Sequence, residues 1–483
     1  MKTTKLFFIA ALALIFAACN NNNDELTQQP AEQPADNMIT VTAKLAPKSG
    51  TTRAVTESEG NIVVDWAVNE KLKIIGEGGE ETTANIDAVD ASGVATISFD
   101  ISNTAKDKDC TIIYPYDAAV TKTAGVYTAD PITAQNGALN AGLDVRIGEG
   151  HITDGATPTL DVTMQPQAMF AIWKLTLANE AKGLYITADG VLIAGVTLGT
   201  ANTEFTIAVP AVDTKTVAVV ATNGSDCKSY SKAGVSLTAG KYYQSSPTMT
   251  AVSSSSSEAV YQITGSSSAT IPAGKTVALS SVSMTSGIDY IKCLGDATII
   301  LIGDNTVNAF MQSYGAIQAA SDASTTLTIT GTGSLTATSG SGAGIGGGYL
   351  TNCGNIVIAG GNITATGTEG AAGIGSRGET TCGNITITGG TINATGGYGA
   401  AGIGSGDSGG CGNITITTGV TSVTAKKSEG YPAPNSIGAG STNSGTSTCG
   451  TVTIGGMVYW DGSAYQNGGD TYLIQSPLVY PAP

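Results

Sequence analysis

The sequence Cys382-Gly-Asn-Ile-Thr-Ile-Thr-Gly-Gly390 has copies on either side of it along the chain. Regular copies begin at Cys353 and Cys411, each 29 residues away, and a looser copy begins at Cys449 after a longer interval. Each regular copy is accompanied by a Gly-Ile-Gly motif, of which residues 373–375 are one example. A fixed period of this size indicates a stacked repeat.

Within one repeat the apolar residues form short runs with a period of two, at residues 385–387, 392–394 and 401–403. Such runs predict β-strands, and the glycines between them predict corners. Three short strands cannot bury their apolar side chains alone. Identical coils stacked about 4.8 Å apart bury each side chain against its copies above and below. The sequence therefore predicts a parallel β-helix.

The composition is typical of an all-β extracellular protein rather than of a cytosolic enzyme. Only 12% of the 483 residues are charged, and 64 are glycine. The formal net charge of −16 argues against nucleic acid as a partner. The single histidine, His151, is expected to be a surface or loop residue rather than a catalyst.

Residues 1–19 are predicted to be a secretory signal, because lysines precede an apolar run that ends in Ala17-Ala18-Cys19. Small residues followed by cysteine resemble a bacterial lipobox. The resemblance implies that Cys19 is lipidated and that the protein is anchored, surface-exposed, in the outer membrane. Ordinary cleavage, with Cys19 incidental, is the alternative. Residues 20–37 are polar and predict a flexible tether.

From Met38 onward, many short alternating segments with polar turns predict β-sandwiches, at residues 38–150 and 151–250. This region resembles the fimbrillin-like lipoproteins of the type V pilin superfamily. The motifs that carry the resemblance are Thr52-Arg-Ala-Val55, Trp66-Ala-Val-Asn-Glu-Lys-Leu72, Ile113-Tyr-Pro-Tyr-Asp117, Phe170-Ala-Ile-Trp-Lys-Leu175 and Leu237-Thr-Ala-Gly-Lys-Tyr-Tyr243.

The resemblance implies two tandem transthyretin-like sandwiches and a place in or near a surface fimbria, with other fimbrial subunits as partners. In that family a protease cuts after an arginine near the first strand, and a strand of a neighbouring subunit fills the groove that opens. Arg53 is the matching position here. The alternative is that Arg53 is a solvated loop residue in an uncut, anchored protein.

Residues 251–259 are rich in serine and predict a flexible linker. The parallel β-helix is expected over residues 260–483, with less regular coils first. Beyond Ile454 the chain is rich in aromatic residues and proline, and we expect this segment to cap the open end of the stack. The predicted fold is therefore all-β: two sandwiches followed by a parallel β-helix.

The cysteines that begin the repeats, Cys353, Cys382, Cys411 and Cys449, should form one column. No Cys-x-x-Cys motif or nearby histidine completes a metal site, so none is expected. A disulfide stays open, because stacked Cα atoms about 4.8 Å apart are within bridging range. In-register side chains point the same way, however, which favours buried free thiols. Asn355, Asn384 and Asn413 should form a second column that bonds the backbone.

The acidic residues of the repeats are too scattered to predict an enzyme. An inverting glycosidase needs two carboxylates about 6.5–9.5 Å apart, and fold alone is weak evidence for catalysis. Glu379 and Asp407 lie in adjacent coils with Arg377 close by and are the one candidate pair. We expect no cofactor, although a calcium ion stays open.

The repeats resemble extracellular β-helix proteins described as adhesin-like or carbohydrate-binding. The shared motifs are seen here at residues 382–390 and 399–404. The resemblance implies binding to an extracellular glycan or to a host or neighbouring surface. Aromatic faces with a few polar groups suit sugars. The candidate ligand-binding residues in the outer loops are Tyr349, Arg377, Glu379, Tyr398, Asp407 and Tyr431.

These observations predict a surface lipoprotein that acts as a glycan-binding adhesin, with a place at a fimbrial tip as one form. A structural fimbrial subunit without a ligand is the first alternative. A polysaccharide-degrading β-helix enzyme is the second.

Overall fold

A computed structural model describes residues 38–47, 56–58, 61–63, 66–118, 120–123, 126–129, 135–138, 143–224, 226–429, 433–443 and 445–481. Cys19, Arg53 and Tyr431 lie outside these residues, as do the predicted signal and tether. The described residues are almost entirely β-structure. Their helices are a single 3-10 turn, Asn103–Ala105, and the short helix α1, Gly469–Tyr472.

The first region contains a seven-stranded antiparallel sheet in the order β1-β6-β5-β4-β7-β10-β11. The strands of the region are β1 (Met38–Leu45), β2 (Thr56–Ser58), β3 (Asn61–Val63), β4 (Lys71–Gly76), β5 (Glu81–Val89), β6 (Ala95–Ser102), β7 (Lys108–Tyr114), β8 (Val120–Thr123), β9 (Val126–Ala129), β10 (Arg146–Ile152) and β11 (Leu160–Ala168).

The two edges of this first sheet approach each other. Thr42 forms a bridge to Thr159, and the backbone N–H of Ala46 donates to Gln165 Oε1 at 2.9 Å. The sheet therefore curves around one core, in which Trp66 and Tyr114 pack edge to face with their ring centroids 5.3 Å apart.

The second region is a six-stranded sheet in the order β13-β12-β14-β15-β17, with β16 parallel to β12. Its strands are β12 (Phe170–Ala188), β13 (Val191–Pro210), β14 (Val212–Asn223), β15 (Asp226–Leu237), β16 (Tyr242–Ser245) and β17 (Thr250–Ala251). The long β12 pairs with β16 through residues 172–175 and with β14 through residues 183–188.

This arrangement differs from the predicted one. Two tandem transthyretin-like sandwiches are not shown. The first region has one seven-stranded sheet with the separate pairs β2-β3 and β8-β9, and the second region has one six-stranded sheet. The predicted boundary after residue 150 falls inside β10, and β11 pairs with β10. The first sheet therefore extends to Ala168. Alternation of apolar residues identified the strands, but it does not encode which strands become neighbours.

From Val260 the chain winds into a parallel β-helix. Its strands are β18 (Val260–Ile263), β19 (Ala269–Ile271), β20 (Lys275–Ser280), β21 (Ser283–Met284), β22 (Ile291–Cys293), β23 (Ala297–Ile302), β24 (Asp304–Ala309), β25 (Ile317–Gln318), β26 (Thr326–Gly331), β27 (Ser334–Ser339), β28 (Ile345–Gly346), β29 (Asn355–Thr366), β30 (Ile374–Gly375), β31 (Thr381–Cys382), β32 (Ile385–Thr395), β33 (Ile403–Gly404), β34 (Gly410–Cys411), β35 (Ile414–Ile416), β36 (Ser422–Lys426), β37 (Ile437–Gly438), β38 (Thr448–Cys449), β39 (Val452–Ile454), β40 (Met457–Trp460) and β41 (Leu478–Tyr480).

The predicted apolar columns are confirmed. Ile329, Ile358, Ile387, Ile416 and Ile454 are register partners in successive coils, and none is more than 2% exposed. A second column runs through the Gly-Ile-Gly motifs. Full burial of an aliphatic side chain contributes about 1.5–3 kcal/mol, so the columns offset the ordering entropy of a glycine-rich backbone.

The second sheet packs directly against the first coils of the β-helix. Tyr185 and Val220 of the sheet lie in one buried cluster with Ile300 and Ile302 of β23. The backbone N–H of Leu192 also donates to Thr298 Oγ1 at 3.2 Å. Strand β23 is consequently buried on both faces.

The segment 251–259 differs from the predicted flexible linker. The N–H of Val252 donates to the carbonyl oxygen of Cys227, and Lys275 Nζ donates to the carbonyl oxygens of Ser257 and Glu258 at 3.0 and 2.8 Å. The serine content of the segment could not predict these contacts, because the atoms that accept from Lys275 are backbone carbonyl oxygens, which every residue type has.

The chain after Ile454 closes the far end of the stack. Strand β40 is antiparallel to β39, and β41 is antiparallel to β36. Tyr459 and Tyr472 stack there, with ring centroids 4.6 Å apart. These antiparallel additions end the series of parallel strands and cover the last coil.

Candidate functional site

The loops on either side of the Gly-Ile-Gly strands form one edge of the β-helix, and backbone hydrogen bonds join them from coil to coil. The N–H of Tyr349 donates to the carbonyl oxygen of Ser313 at 2.7 Å. The N–H of Asp407 donates to Gly370 at 3.1 Å, and the N–H of Ser408 donates to Ser441 at 2.7 Å. Side chains on this edge are therefore held by a regular backbone frame.

The Gly-Ile-Gly glycines are explained by close packing. Gly346, Gly375 and Gly404 have φ between 135° and 136°. A Cβ at any of them would overlap the carbonyl oxygen of the equivalent glycine in the next coil. Only glycine satisfies both conditions, so these motifs shape the corners of the coil.

Tyr349 and Arg377 are brought together on this edge. The guanidinium carbon of Arg377 lies 4.3 Å from the centre of the Tyr349 ring, which is a cation–π contact. Arg377 Nε donates to the carbonyl oxygen of Ser341 at 3.1 Å, and Nη1 donates to that of Gly378 at 3.4 Å. The tyrosine is 46% exposed. The pair offers a fixed aromatic face beside a cation.

Tyr398 and Glu379 reach solvent on the same edge. Tyr398 is 53% exposed, and the carbonyl oxygen of Tyr398 lies beside Gly370. Glu379 is exposed, with a left-handed backbone at φ 61°. Its N–H donates to the carbonyl oxygen of Asp407 at 3.2 Å. The predicted juxtaposition of Glu379 with Asp407 thus exists at the level of the backbone.

The carboxylate of Asp407 accepts hydrogen bonds from residues of the neighbouring coil. Oδ1 accepts hydrogen bonds from the Ser441 hydroxyl and, at 3.2 Å, from the Asn443 N–H. Oδ2 accepts from Asn443 Nδ2 at 3.4 Å. Asp407 therefore holds the loop that contains Ser441 and Asn443, and we assign it a structural role rather than the predicted ligand-binding one.

Sequence reasoning missed aromatic residues in the irregular first coils. Tyr290 and Tyr314 stack with their ring centroids 4.1 Å apart, and Lys292 Nζ lies 5.6 Å from the centre of the Tyr314 ring. Desolvation and the neighbouring Tyr314 raise the pKa of Tyr290. A usable signal existed, because Tyr290 directly precedes β22 and Tyr314 lies three residues before β25, in loops that precede short strands as the outer loops do in the regular repeats.

We define the aromatic edge as Tyr290, Tyr314, Tyr349, Arg377 and Tyr398. The edge crosses five successive coils, whose short strands are β22, β25, β28, β30 and β33. Phe310 and Met311 beside it are 58% and 69% exposed. Tyr349 and Tyr398 are exposed, whereas Tyr290 and Tyr314 are partly buried. Exposed aromatic and apolar side chains that gather on one edge mark a site of interaction.

The four repeat cysteines lie in one column. Cys353, Cys382, Cys411 and Cys449 are register partners in successive coils. The first three are buried and Cys449 is partly exposed, and none of the four is in a disulfide. The hydrogen bond with Cys353 and burial raise the pKa of Cys382, and the hydrogen bond with Cys449 and burial do the same to Cys411.

The asparagine column bonds the backbone of successive coils. Asn355 Oδ1 accepts from the N–H of Asn384, and Asn384 Oδ1 accepts from the N–H of Asn413, both at 2.9 Å. Asn413 Oδ1 accepts from Thr451 in the same way. These side chains satisfy the backbone at a corner and lie apart from the aromatic edge.

Within the described ranges, no group of three or more histidine, cysteine or acidic side chains is placed to hold a metal ion. None of the helices in the described part of the chain is long and apolar enough to cross a membrane.

Comparison with protein families adds one finding. A family model described as a beta helix repeat matches residues 327–349, 356–379 and 385–407. The chain contains beta helix repeats. The matched segments carry Tyr349, Arg377, Glu379, Tyr398 and Asp407. A comparison with curated proteins gave no match. Beta helix repeats occur in enzymes and in other proteins. The match therefore supports the architecture, and the function has to be argued from the residues of the site.

Proposed function

We propose that the protein is a cell-surface lipoprotein that binds an extracellular glycan along its aromatic edge. The observation that carries this proposal is the pair of exposed tyrosines, Tyr349 and Tyr398, with Arg377 stacked on Tyr349. Sugar rings present apolar C–H faces and polar rims, which suit an aromatic face beside a hydrogen-bond donor.

The frame of the edge supports binding. Each loop of the edge is hydrogen bonded to the loops of adjacent coils, so its side chains are ordered before a ligand arrives. Two N–H groups of Arg377 donate hydrogen bonds to backbone carbonyl oxygens, and these bonds fix the guanidinium beside the Tyr349 ring. Preorganisation of this kind lowers the entropic cost of association.

The charge on the edge supports a neutral or acidic glycan. Arg377 and Lys292 are cations that lie against aromatic rings of the edge. The carboxylate of Asp407 accepts hydrogen bonds from Ser441 and Asn443 of the adjacent coil. We propose binding without a calcium ion and without catalysis. Incubation with acidic and neutral polysaccharides should therefore release no reducing ends.

A glycan array on the full-length protein tests the proposal. The Tyr349→Ala variant should bind at least about tenfold more weakly, as expected when a central aromatic contact is removed. The matched control is Tyr116→Ala on the first region, because Tyr116 is also exposed, at 41%, and has Lys73 Nζ 5.6 Å from its ring centre. Absence of glycan binding by the unaltered protein, or equal binding by both variants, contradicts the proposal.

The second candidate function, a fimbrial subunit, is favoured by one observation. Strand β1 is joined to the first sheet by a ladder to β6, and it buries Val41 and Leu45 in the core. Removal of β1 by cleavage after Arg53 would open an apolar groove for a strand of a neighbouring subunit. N-terminal sequencing of surface-shed protein tests this candidate, which fails when no chain begins at Ala54.

A further inference from the structure

The last two cysteines of the column are much closer than stacking alone requires. Cys411 and Cys449 end neighbouring strands that are about 4.8 Å apart, but their sulfur atoms approach to 3.0 Å. The Cys411 thiol donates toward Cys449 Sγ in this contact. The two side chains are therefore turned toward each other, which in-register stacking alone does not produce.

Cys449 is also the accessible member of the column. Cys449 is partly exposed and lines a cavity of about 310 Å³ between the last loops and the cap, together with Ser447, Trp460 and Tyr465. Trp460 Nε1 donates to the carbonyl oxygen of Cys449 at 3.2 Å, which fixes the backbone at that position. By contrast, Cys353 and Cys382 are 2% and 6% exposed.

Cys411 and Cys449 lie at the two ends of the longest interval between repeats, where a covalent link between the two sulfurs would stabilise the register of the strands. The interval from Cys411 to Cys449 is longer than the regular interval of 29 residues, because an insertion enters this coil. Strands β34 and β38, which carry the two cysteines, have only two residues each. A long coil held by short strands specifies its register weakly, and a covalent link between the strands would fix it.

We propose that Cys411 and Cys449 form a disulfide when the folded protein meets a disulfide oxidant, while Cys353 and Cys382 stay as thiols. The Cys449 thiolate attacks one sulfur of the oxidant and releases the first oxidant thiol. Cys411 then loses its proton and attacks Cys449 Sγ, which releases the second oxidant thiol. Two protein thiols are oxidised to one disulfide, and one oxidant disulfide is reduced to two thiols.

The first step falls to Cys449 for two reasons. Cys449 lines the cavity, which an oxidant can enter from solvent. Cys411, by contrast, is buried and directs its thiol at Cys449 Sγ, so it is placed for the second step rather than the first. Oxidation at the regular coils would require the stack to open, because both sulfurs there are buried.

Mass spectrometry of the reduced, folded, full-length protein after incubation with oxidised glutathione tests the proposal. Remaining thiols are blocked with N-ethylmaleimide in the native state and then with iodoacetamide in denaturant, so that the two adducts differ in mass. The expected product is a peptide pair joined through Cys411 and Cys449, with Cys353 and Cys382 alkylated only after denaturation. Recovery of Cys411 and Cys449 as thiols, or a link between Cys382 and Cys411, overturns the proposal.

Two variants separate the link from non-specific oxidation. In Cys411→Ser the reaction should stop at a mixed disulfide between glutathione and Cys449, whereas Cys353→Ser should form the link as the unaltered protein does. Oxidation should also raise the thermal midpoint of the unaltered protein and of Cys353→Ser, but not that of Cys411→Ser. A rise of equal size in Cys411→Ser contradicts the proposed link.

Discussion

The regular coils and the first coils of the β-helix share a fold and differ in what covers their outer face. In the regular coils, outward positions of the first strand carry partly exposed threonines, such as Thr386 and Thr415. In the first coils, outward residues on the same face include Ala278, Ile300 and Ile302, which are buried against the second sheet. The strict repeat is kept where solvent is the neighbour on that face and is lost where another sheet is the neighbour.

The comparison teaches that one face of a coil is specified by the coils above and below, and the other by the surroundings. The inward side chains repeat, because each packs on its own copy. The outward side chains follow the chemistry of the surface that they meet. Irregularity in a repeat protein is therefore informative, because here it identifies the interface with the second sheet.

The largest effect should come from a charge placed in that interface. Ile300→Asp buries an unpaired carboxylate between β23 and the second sheet, and it should lower the free energy of unfolding by about 3–5 kcal/mol. The control Thr386→Asp makes the same change at an outward position of a regular coil, where we expect a change of about 0.5 kcal/mol or less. Denaturant unfolding measures both. Equal losses would show that β23 is not covered in solution.

A smaller effect should follow from a methyl group in a regular corner. Gly375→Ala forces alanine to a φ of 135° and drives its Cβ into the Gly404 carbonyl, at a cost of about 2–4 kcal/mol. Gly456 also has a positive φ, 84°, but nothing lies within 4 Å of a Cβ there. Gly456→Ala should cost about 1 kcal/mol. Thermal unfolding compares the two, and similar costs would contradict the close-packed corner.

The smallest effect should be a pH dependence of stability that arises in the first sheet, at His151 of β10. The hydrogen bond with Asp109, supported by Asp107, raises the pKa of His151 above its usual 6.5. The stability from this pairing is therefore fully present below pH 6.5 and is lost as the pH rises through the higher pKa of the folded state. An NMR titration should give a pKa above 6.5 for His151, and Asp109→Asn should reduce it. A value at or below 6.5 contradicts the pairing.

The sequence predicted the β-helix well because its signal is local and repeated. The alternation of Ile385 with Ile387, and its recurrence after 29 residues, determines both the inward face and the register. The same period placed Tyr349, Arg377 and Tyr398 in outer loops, because residues between periodic strands lie at the corners.

The remaining features depend on partners that are distant in sequence. The curved first sheet requires β1 to meet β11, and no local pattern encodes that neighbour. Tyr290 and Tyr314 were missed because their coils depart from the period. The role of Asp407 depends on Ser441 and Asn443 of the following coil, in a loop that is longer than its counterparts in the regular repeats.

The antiparallel strands β40 and β41 also set a limit on size. Because they terminate the stack, the coil that contains β37 is the last one after the five coils of the aromatic edge. At a rise of about 4.8 Å per coil, these coils measure on the order of 20 Å from first to last. The aromatic edge therefore has a fixed length, and each of its five coils contributes one tyrosine or arginine at a regular spacing.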